Sequence, residues 1–429
     1  MSNIQRPRGT RDFTPQDMKN RRLIEESLRN TAISFGYSEI ATPAFEHAEL
    51  FIRKSGEEII NQLYVFRDKG DRELVLRPEL TAPVIRFYAN DLYKQPKPFK
   101  VFYQGNCFRY ERPQKGRFRE FWQFGAELIG TDRPEGIAEL IAFAFSCLIN
   151  SKLTNFEIRI GNIEIIKNIL NNWKIPKDTQ AELMTLIDKG DLATLEAILE
   201  KHEVTDTDVN MFSELIQYKF KRSEIDEQFK VINNQFPIIS KNLDRLKSVI
   251  DFLKSFNVDD LTIDLGIARG IDYYTGIVFE IDVLSLGAEK QVCGGGEYSL
   301  DELFNLKDIS CSGFAIGFDR LTLAFEQEGL TTPGLDLNIY IIPLIVTALD
   351  KAIELSSQLR AAGFSVEMDI KGRNMSKNLK FASSRNAQYT IFIGEDELEA
   401  GEALVRIMAS GEQANIKFEN LVEHLKNTK

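Results

Sequence analysis

Residues 107–130, CFRYERPQKGRFREFWQFGAELIG, alternate apolar and polar positions on both sides of a polar centre. The alternation predicts two half-buried strands, 101–110 and 118–128, joined by a loop that holds Pro113 and Gly116. Lys and Arg crowd this hairpin: seven lie between Lys97 and Phe121, against Glu111 and Glu120, in a chain of net charge -11. Clustered arginines repel one another unless something negative answers them. A bound polyanion fits the pattern, and so does a charged, solvated hairpin.

At 429 residues the chain exceeds one core and implies two or three domains. No apolar run approaches membrane-spanning length, and the opening MSNIQRPRGTRDF has no hydrophobic signal region, so a cytoplasmic protein without a membrane partner is expected. Cys107, Cys147, Cys293 and Cys311 stand far apart and are expected to be reduced and structural. His47, His202 and His424 are scattered, which argues against a zinc site or a histidine dyad and leaves a carboxylate-held magnesium open. Net acidity argues against a general nucleic-acid coat but leaves room for a local basic track.

After a basic arm, Arg6 to Arg11, the run Thr14, Pro15 and Asp17 predicts a helix start, with the helix ending near Gly36. A strand over 37–42 stops at Pro43, a polar helix or loop covers 49–61, and two short strands, 63–67 and 73–76, flank the turn 68–71. The segment 77–83, RPELTAP, opens a helix to about residue 92. Beyond the hairpin come an apolar helix, 134–149, and a strand, 156–160. Residues 163–256 then read as polar helices with almost no strand signal, a helical module inserted between parts of the sheet. Strands resume at 261–265 and 278–283, and 314–326 reads as a helix. A loop at 327–337 precedes strands 338–344, 364–370 and 389–394, which alternate with helices 348–361 and 376–385. This is the spacing of an α/β domain of about a hundred residues with a parallel or mixed sheet.

Gly294-Gly295-Gly296 lacks the ending of a P-loop and the spacing of a dinucleotide fingerprint, so a turn or a close backbone approach is expected there. Residues 371–377, KGRNMSK, have no partner motif and read as a helix start with Ser376 near the cap. Arg109, Arg117, Arg269 and Arg320 stand in strand or turn context, where an arginine is costly unless paired. Glu79, Glu111, Glu127 and Asp264 would supply ion pairs, while four such sites beside Gly-rich strands favour a nucleoside triphosphate. In the segment 265–276, LGIARGIDYYTG, one of Tyr273 and Tyr274 packs and the other offers its hydroxyl to a ligand.

Five segments in this order, PRGTRDFTP (7–15), RPELTAP (77–83), the hairpin 108–130, LGIARGIDYYTG (265–276) and GFAIGFDRL (313–321), resemble the signatures of the histidyl-tRNA synthetases, a class II aminoacyl-tRNA synthetase family. Ala41-Thr42-Pro43 resembles the first class II motif, which lies at a dimer interface, and the last segment resembles the third. The resemblance implies an α+β fold: a class II antiparallel sheet with flanking helices in a catalytic domain, 1–326, with a helical insertion, 163–256. A C-terminal α/β anticodon-binding domain, 336–429, follows. It implies a homodimer that joins histidine to ATP with Mg2+, the metal ligands being unknown, and passes the histidyl group to tRNA(His). It assigns catalysis to Arg109 and Arg269, and histidine binding to those two with Glu79, Thr81, Gln123, Glu127, Tyr273, Tyr274 and Tyr298. ATP falls to Arg109, Glu111, Arg117, Phe121 and Arg320, and the tRNA acceptor end to Arg112, Gln114 and Lys115. Lys371, Arg373, Lys377, Lys380 and Arg385 are the cationic candidates for anticodon contact in a segment, 330–429, that holds eleven Lys and Arg against thirteen Asp and Glu. One departure is Glu297, where the family pattern has Arg, with Ser299 where it has Asp. The alternative is a non-catalytic, histidine-sensing paralogue such as the regulatory subunit of ATP phosphoribosyltransferase.

Overall fold

The computed structural model describes residues 4–55, 57–112, 116–268, 274–299, 309–330 and 337–427. They divide into two compact units, Met1–Asp12 with Arg21–Thr331 and Phe13–Asn20 with Thr332–Lys429. In chain order the first strands are β1 (Ser38–Glu39), β2 (Phe45–His47), β3 (Tyr64–Arg67) and β4 (Glu73–Leu76). The hairpin follows as β5 (Phe99–Phe108) and β6 (Glu120–Ile129), paired antiparallel from Phe99 opposite Ile129 to Phe108 opposite Glu120. Then come β7 (Phe156–Asn162), β8 (Lys219–Lys221), β9 (Thr262–Asp264), β10 (Tyr274–Val283), β11 (Gln291–Tyr298) and β12 (Cys311–Gly317).

Nine of these strands form one sheet in the order β1-β5-β6-β12-β11-β10-β7-β9-β8, antiparallel except for β1 with β5 and β7 with β9. Strands β2, β4 and β3 make a separate small sheet. Because side chains alternate along a strand, the large sheet has two chemically different faces. One carries Phe102, Phe124, Ala126, Phe314 and Ile316, all buried. It is covered by the apolar helix at 134–150, Pro134–Asn150, whose Phe143 ring lies 6.3 Å from Phe124 and 5.1 Å from Phe314. A helix that is apolar nearly all round is stable only when packed on most sides. The other face carries Tyr103, Gln123, Glu127, Tyr274 and Tyr298.

Three expectations change. The helix expected over 314–326 is a strand, β12, followed by the helix Phe318–Gln327: small residues that can begin a helix here lie flat between β11 and β6. Gly294 to Gly296 sit in mid-strand, paired on both sides, a close backbone approach and not a turn. Residues 163–256 hold six helices, but β8 interrupts them and pairs with β9. The cap of the first helix, Pro15–Ser34, follows the expected chemistry. The Asp17 carboxylate accepts from the Thr14 backbone N–H at 2.8 Å, and Thr14 Oγ1 accepts from the Asp17 N–H at 3.2 Å.

In the second unit, β13 (Ile339–Pro343), β14 (Val366–Met368), β15 (Tyr389–Ile393), β16 (Glu402–Ile407) and β17 (Gln413–Lys417) order as β14-β13-β15-β16-β17. The first three are parallel and the last two antiparallel, so the sheet is mixed. Helices Leu349–Ala361 and Met375–Ser384 make the crossovers between the parallel strands, and the second is capped by Asn374, two residues before Ser376. Buried Asp369 ties the loop before it, accepting from the N–H groups of Lys371 at 3.0 Å and Arg373 at 2.6 Å and from Asn378 at 3.0 Å.

One carboxylate holds several parts of the first unit together. Asp319 Oδ1 accepts from Arg11 and Arg21, each at 2.6 Å, and Oδ2 accepts from the Trp122 N–H at 2.7 Å. The N-terminal arm, the first helix, β6 and the helix Phe318–Gln327 therefore meet at one buried charge. Removing one partner of a buried pair leaves the other poorly compensated, so Asp319→Ala should cost about 3–5 kcal/mol. Both tryptophans, Trp122 and Trp173, lie in this unit, so the urea midpoint followed by their fluorescence reports the loss, with an unchanged slope.

Candidate active site

Glu127 lies on β6, 1 % exposed, in the polar face of the large sheet. Tyr103 Oη donates to one of its oxygens at 2.7 Å and Tyr298 Oη to the other at 2.6 Å. The carboxylate fits because β12 passes beside it as Gly313: a Cβ there would stand 1.8 Å from Glu127 Oε2. Burial pushes the Glu127 carboxyl up to about 7, against hydrogen bonds from Tyr298, Tyr103 and Thr81 that favour its charged form. Tyr274 begins β10 directly opposite Tyr298 and is 6 % exposed.

The short helix Thr81–Phe87 starts beside this group. Glu79 accepts from the N–H groups of Thr81 at 2.6 Å and Ala82 at 3.1 Å, which places a carboxylate at the positive helix end. Thr81 Oγ1 is 3.4 Å from Tyr103 Oη, so Glu79, Thr81, Tyr103 and Glu127 form one polar chain. Gln123 lies two pleats from Glu127 on the same face and accepts from Cys107 Sγ at 3.4 Å.

Along the same face toward the hairpin loop the chemistry turns cationic. Arg109 lies just past the end of β5, which stops at Phe108, short of the expected residue 110. Its Nε donates to the Pro78 carbonyl at 2.9 Å, its guanidinium lies 5.2 Å from the Phe121 ring centre, and its Nη1 is 3.9 Å from Glu111. Arg117 and Arg320 converge on Glu289 at 3.1 and 2.7 Å, and Arg320 also donates to the Gln291 carbonyl at 2.8 Å. The structure thus brings Glu79, Thr81, Gln123, Glu127, Tyr274 and Tyr298 to one polar face and gathers Arg109, Glu111, Phe121, Arg117 and Arg320 beside it. Arg112 is exposed.

Arg269, Tyr273, Gln114 and Lys115 lie outside the described residues. The chain leading to Arg269 is described to Ala268, which with Gly266 and Ile267 lines a cavity of about 450 Å³ shared with Arg159, Lys219 and Glu280. Tyr103 was not among the expected residues, although its strand alternation pointed it to this face. Arg77 was also passed over: 6 % exposed, it donates to the carbonyls of Thr42 at 2.7 Å, Pro43 at 3.1 Å and Asn106 at 2.8 Å. In the second unit Arg373 is bonded to Asp369 at 2.8 Å and Arg385 to Glu367 at 2.5 Å, whereas Lys371, Lys377 and Lys380 are exposed. Among the described residues no group of three His, Cys, Asp or Glu is placed to hold a metal, and no helix is long and apolar enough to cross a membrane.

Comparison with known proteins meets this arrangement over nearly the whole chain. A family model described as histidyl-tRNA synthetase matches residues 9–321, and one described as an anticodon binding domain matches 338–428. A protein of Archaeoglobus fulgidus named histidine–tRNA ligase is 43 % identical over 97 % of this chain and 98 % of its own length. A protein of the same name from Methanosarcina acetivorans is 43 % identical over 98 % of each. Among solved structures, apo histidyl-tRNA synthetase of S. aureus superposes with a TM-score of 0.74 at 28 % identity, covering 98 % of this chain and 99 % of that one. The histidyl-tRNA synthetase of a Nostoc species shares the fold, with a TM-score of 0.82 at 22 % identity over the full length of both. The match runs through both units, and the chain belongs to the histidyl-tRNA synthetase family.

Proposed function

We propose that this chain is an ATP-dependent histidine–tRNA ligase of class II. A carboxylate oxygen of histidine attacks the α-phosphorus of ATP, the bond to the β-phosphate oxygen breaks, and pyrophosphate leaves with its electron pair. A hydroxyl of the terminal tRNA adenosine then attacks the histidyl carbonyl and AMP departs. The observation that carries the reading is Glu127 held between Tyr103 and Tyr298. A neutral imidazole has one donor and one acceptor; the oxygens of this group accept from the ring N–H, and Glu127, raised to about 7, supplies a proton toward the other nitrogen when it is protonated. A pocket whose polar groups go unanswered by a wrong side chain discriminates strongly without editing.

The remaining roles follow from position for the described residues and from the resemblance for Tyr273, Arg269, Gln114 and Lys115. Glu79, Thr81 and Gln123 take the histidine ammonium, and Tyr274 and Tyr298, with Tyr273, complete the ring pocket. Attack of a carboxylate on a phosphate brings two anions together, so fixed cations contribute most. Arg109, with its Nε anchored on Pro78, takes the α-phosphate and the histidine carboxylate, and the resemblance assigns Arg269 to the same reacting groups. Arg117 and Arg320 take the outer phosphates, Phe121 stacks on adenine and Glu111 meets the adenine edge. Magnesium bound to ATP keeps most of its waters and needs only one or two protein carboxylates. Glu289 lies between Arg117 and Arg320 and fits that need; the ion would supply further positive charge for the outer phosphates. Arg112, Gln114 and Lys115 face the acceptor end of tRNA(His), and exposed Lys371, Lys377 and Lys380, beside Ile370 at 83 % exposure, face the anticodon. The site belongs in the cytoplasm, where tRNA is charged. A histidine sensor has no use for an anticodon-binding unit, so the match of residues 338–428 favours the ligase over the paralogue.

The small sheet carries Phe45 and Phe66 on one face, 52 % and 40 % exposed with ring centres 6.4 Å apart. An exposed apolar group of this kind next to Ala41-Thr42-Pro43 supports a homodimer through this face.

Histidine, and no other amino acid, should drive exchange of pyrophosphate into ATP in the presence of magnesium; a folded chain that exchanges nothing would refute the ligase. Phe66→Asp should shift the sedimentation mass from two chains to one at micromolar concentration, whereas an unchanged mass would place the interface elsewhere. Glu127 gives a pH signature. Its folded carboxyl is raised from 4.5 to about 7, so its contribution to stability is full below about pH 4.5 and is lost as pH rises through 7, about 3 kcal/mol in all. Glu127→Gln should flatten that slope in urea titrations between pH 5 and 8 and raise KM for histidine at least about tenfold while leaving KM for ATP alone.

A further inference from the structure

The histidine-reading end of β10 is irregular. Tyr274 pairs with Tyr298, but the next paired rung is Val278 with Gly296, so four steps along β10 span two along β11. The extra residues form a bulge, a device that re-aims side chains and leaves ladder groups unpaired. At its centre Gly276 has φ +114°, and a Cβ there would lie 2.3 Å from Glu297 Oε2. That same oxygen accepts from the Ile277 N–H at 2.7 Å, answering a donor that the ladder does not. The second Glu297 oxygen is bonded to Arg245, on the helix Ser240–Ser255, which also donates to the Asp132 carbonyl at 2.7 Å. At the other end of the bulge the Tyr274 carbonyl accepts from Lys167 Nζ at 2.6 Å, on the helix Ile163–Asn172.

Both cations come from the helices that lie between β7 and β9. We propose that Arg245, acting through Glu297, and Lys167 are positioning residues that fix the bulge and so aim Tyr274 at the histidine ring, making the inserted helices a determinant of histidine affinity. This rests on the ligase reading given above. The Glu297 that departs from the family pattern is then the half of the clamp that this chain supplies from β11. Its side chain is 13 % exposed and that of Arg245 30 %, so the pair is more shielded than a surface ion pair and carries more weight. None of the bonds just named involves Arg109, Arg117 or Arg320, so the effect falls on the amino acid.

The test compares Arg245→Met, Arg245→Lys and Lys167→Met with the unaltered chain in pyrophosphate exchange. Exchange by the unaltered chain is measured first, since its failure would refute the ligase itself and not merely the clamp. The expected result is a KM for histidine raised about tenfold in Arg245→Met and in Lys167→Met, with kcat and KM for ATP within about twofold and most of the loss recovered in Arg245→Lys. Glu297→Gln, which keeps an acceptor for Ile277, should lose about as much as Arg245→Met, and the double variant no more than either alone. Unchanged KM for histidine in the folded variants, or equal losses for histidine and ATP, would overturn the clamp. Using two cations on different helices guards against one variant that fails to fold.

Discussion

Two phenols donate to the two oxygens of one buried carboxylate, and much of the polar face is arranged to make that possible. Burial alone would hold Glu127 neutral, while the hydroxyls of Tyr103 and Tyr298 pull it toward the charged form. The balance leaves the group near its midpoint at neutral pH, where a ligand's donor can decide its state. Such a balance needs tight geometry. Tyr103 stands on β5, Glu127 on β6 and Tyr298 on β11, three strands whose spacing is fixed by continuous ladders through β12.

Arginine has two occupations in this chain, and the partners separate them. Arg77 is spent on three backbone carbonyls, and Arg159 on Asp264, Glu280 and Asp282 at 2.9, 2.5 and 3.2 Å. These are closed networks that lock loops and strands. Arg109, Arg117 and Arg320 are held differently. Arg109 is anchored by a carbonyl, Arg117 by a carboxylate and Arg320 by a carbonyl and that same carboxylate, and the three gather beside the polar face. A polyanion that meets such a group completes a charge balance that the fold only begins.

Much of this was legible in the chain because it rests on local pattern. The hairpin, the strands around the turn at 68–71, the capped first helix and the apolar helix at 134–150 each carry their own period or cap. What escaped lacks that signal. GGGEY and CSGFAIG are strands covered on both faces, and their glycines and small residues erase the alternation that marks a half-exposed strand. Tyr103 escaped because its meaning lies in Glu127, 24 residues away. Glu297 stood out only as a mismatch, since the arginine that answers it comes from a helix 52 residues back. Local chemistry announces elements and motifs; pairings across the sheet become visible only when the strands are laid side by side.

The inserted helices also decide how the large sheet ends. Its last strand, β8, is three residues long and turns Lys219 and Lys221 outward around buried Phe220. The strand at the far margin, β1, is only two residues long. A nine-stranded sheet with long bare margins would template further copies through its unpaired amides. Here one margin is too short and the other too charged to be extended. Edge-to-edge growth of the sheet is thereby blocked at both margins.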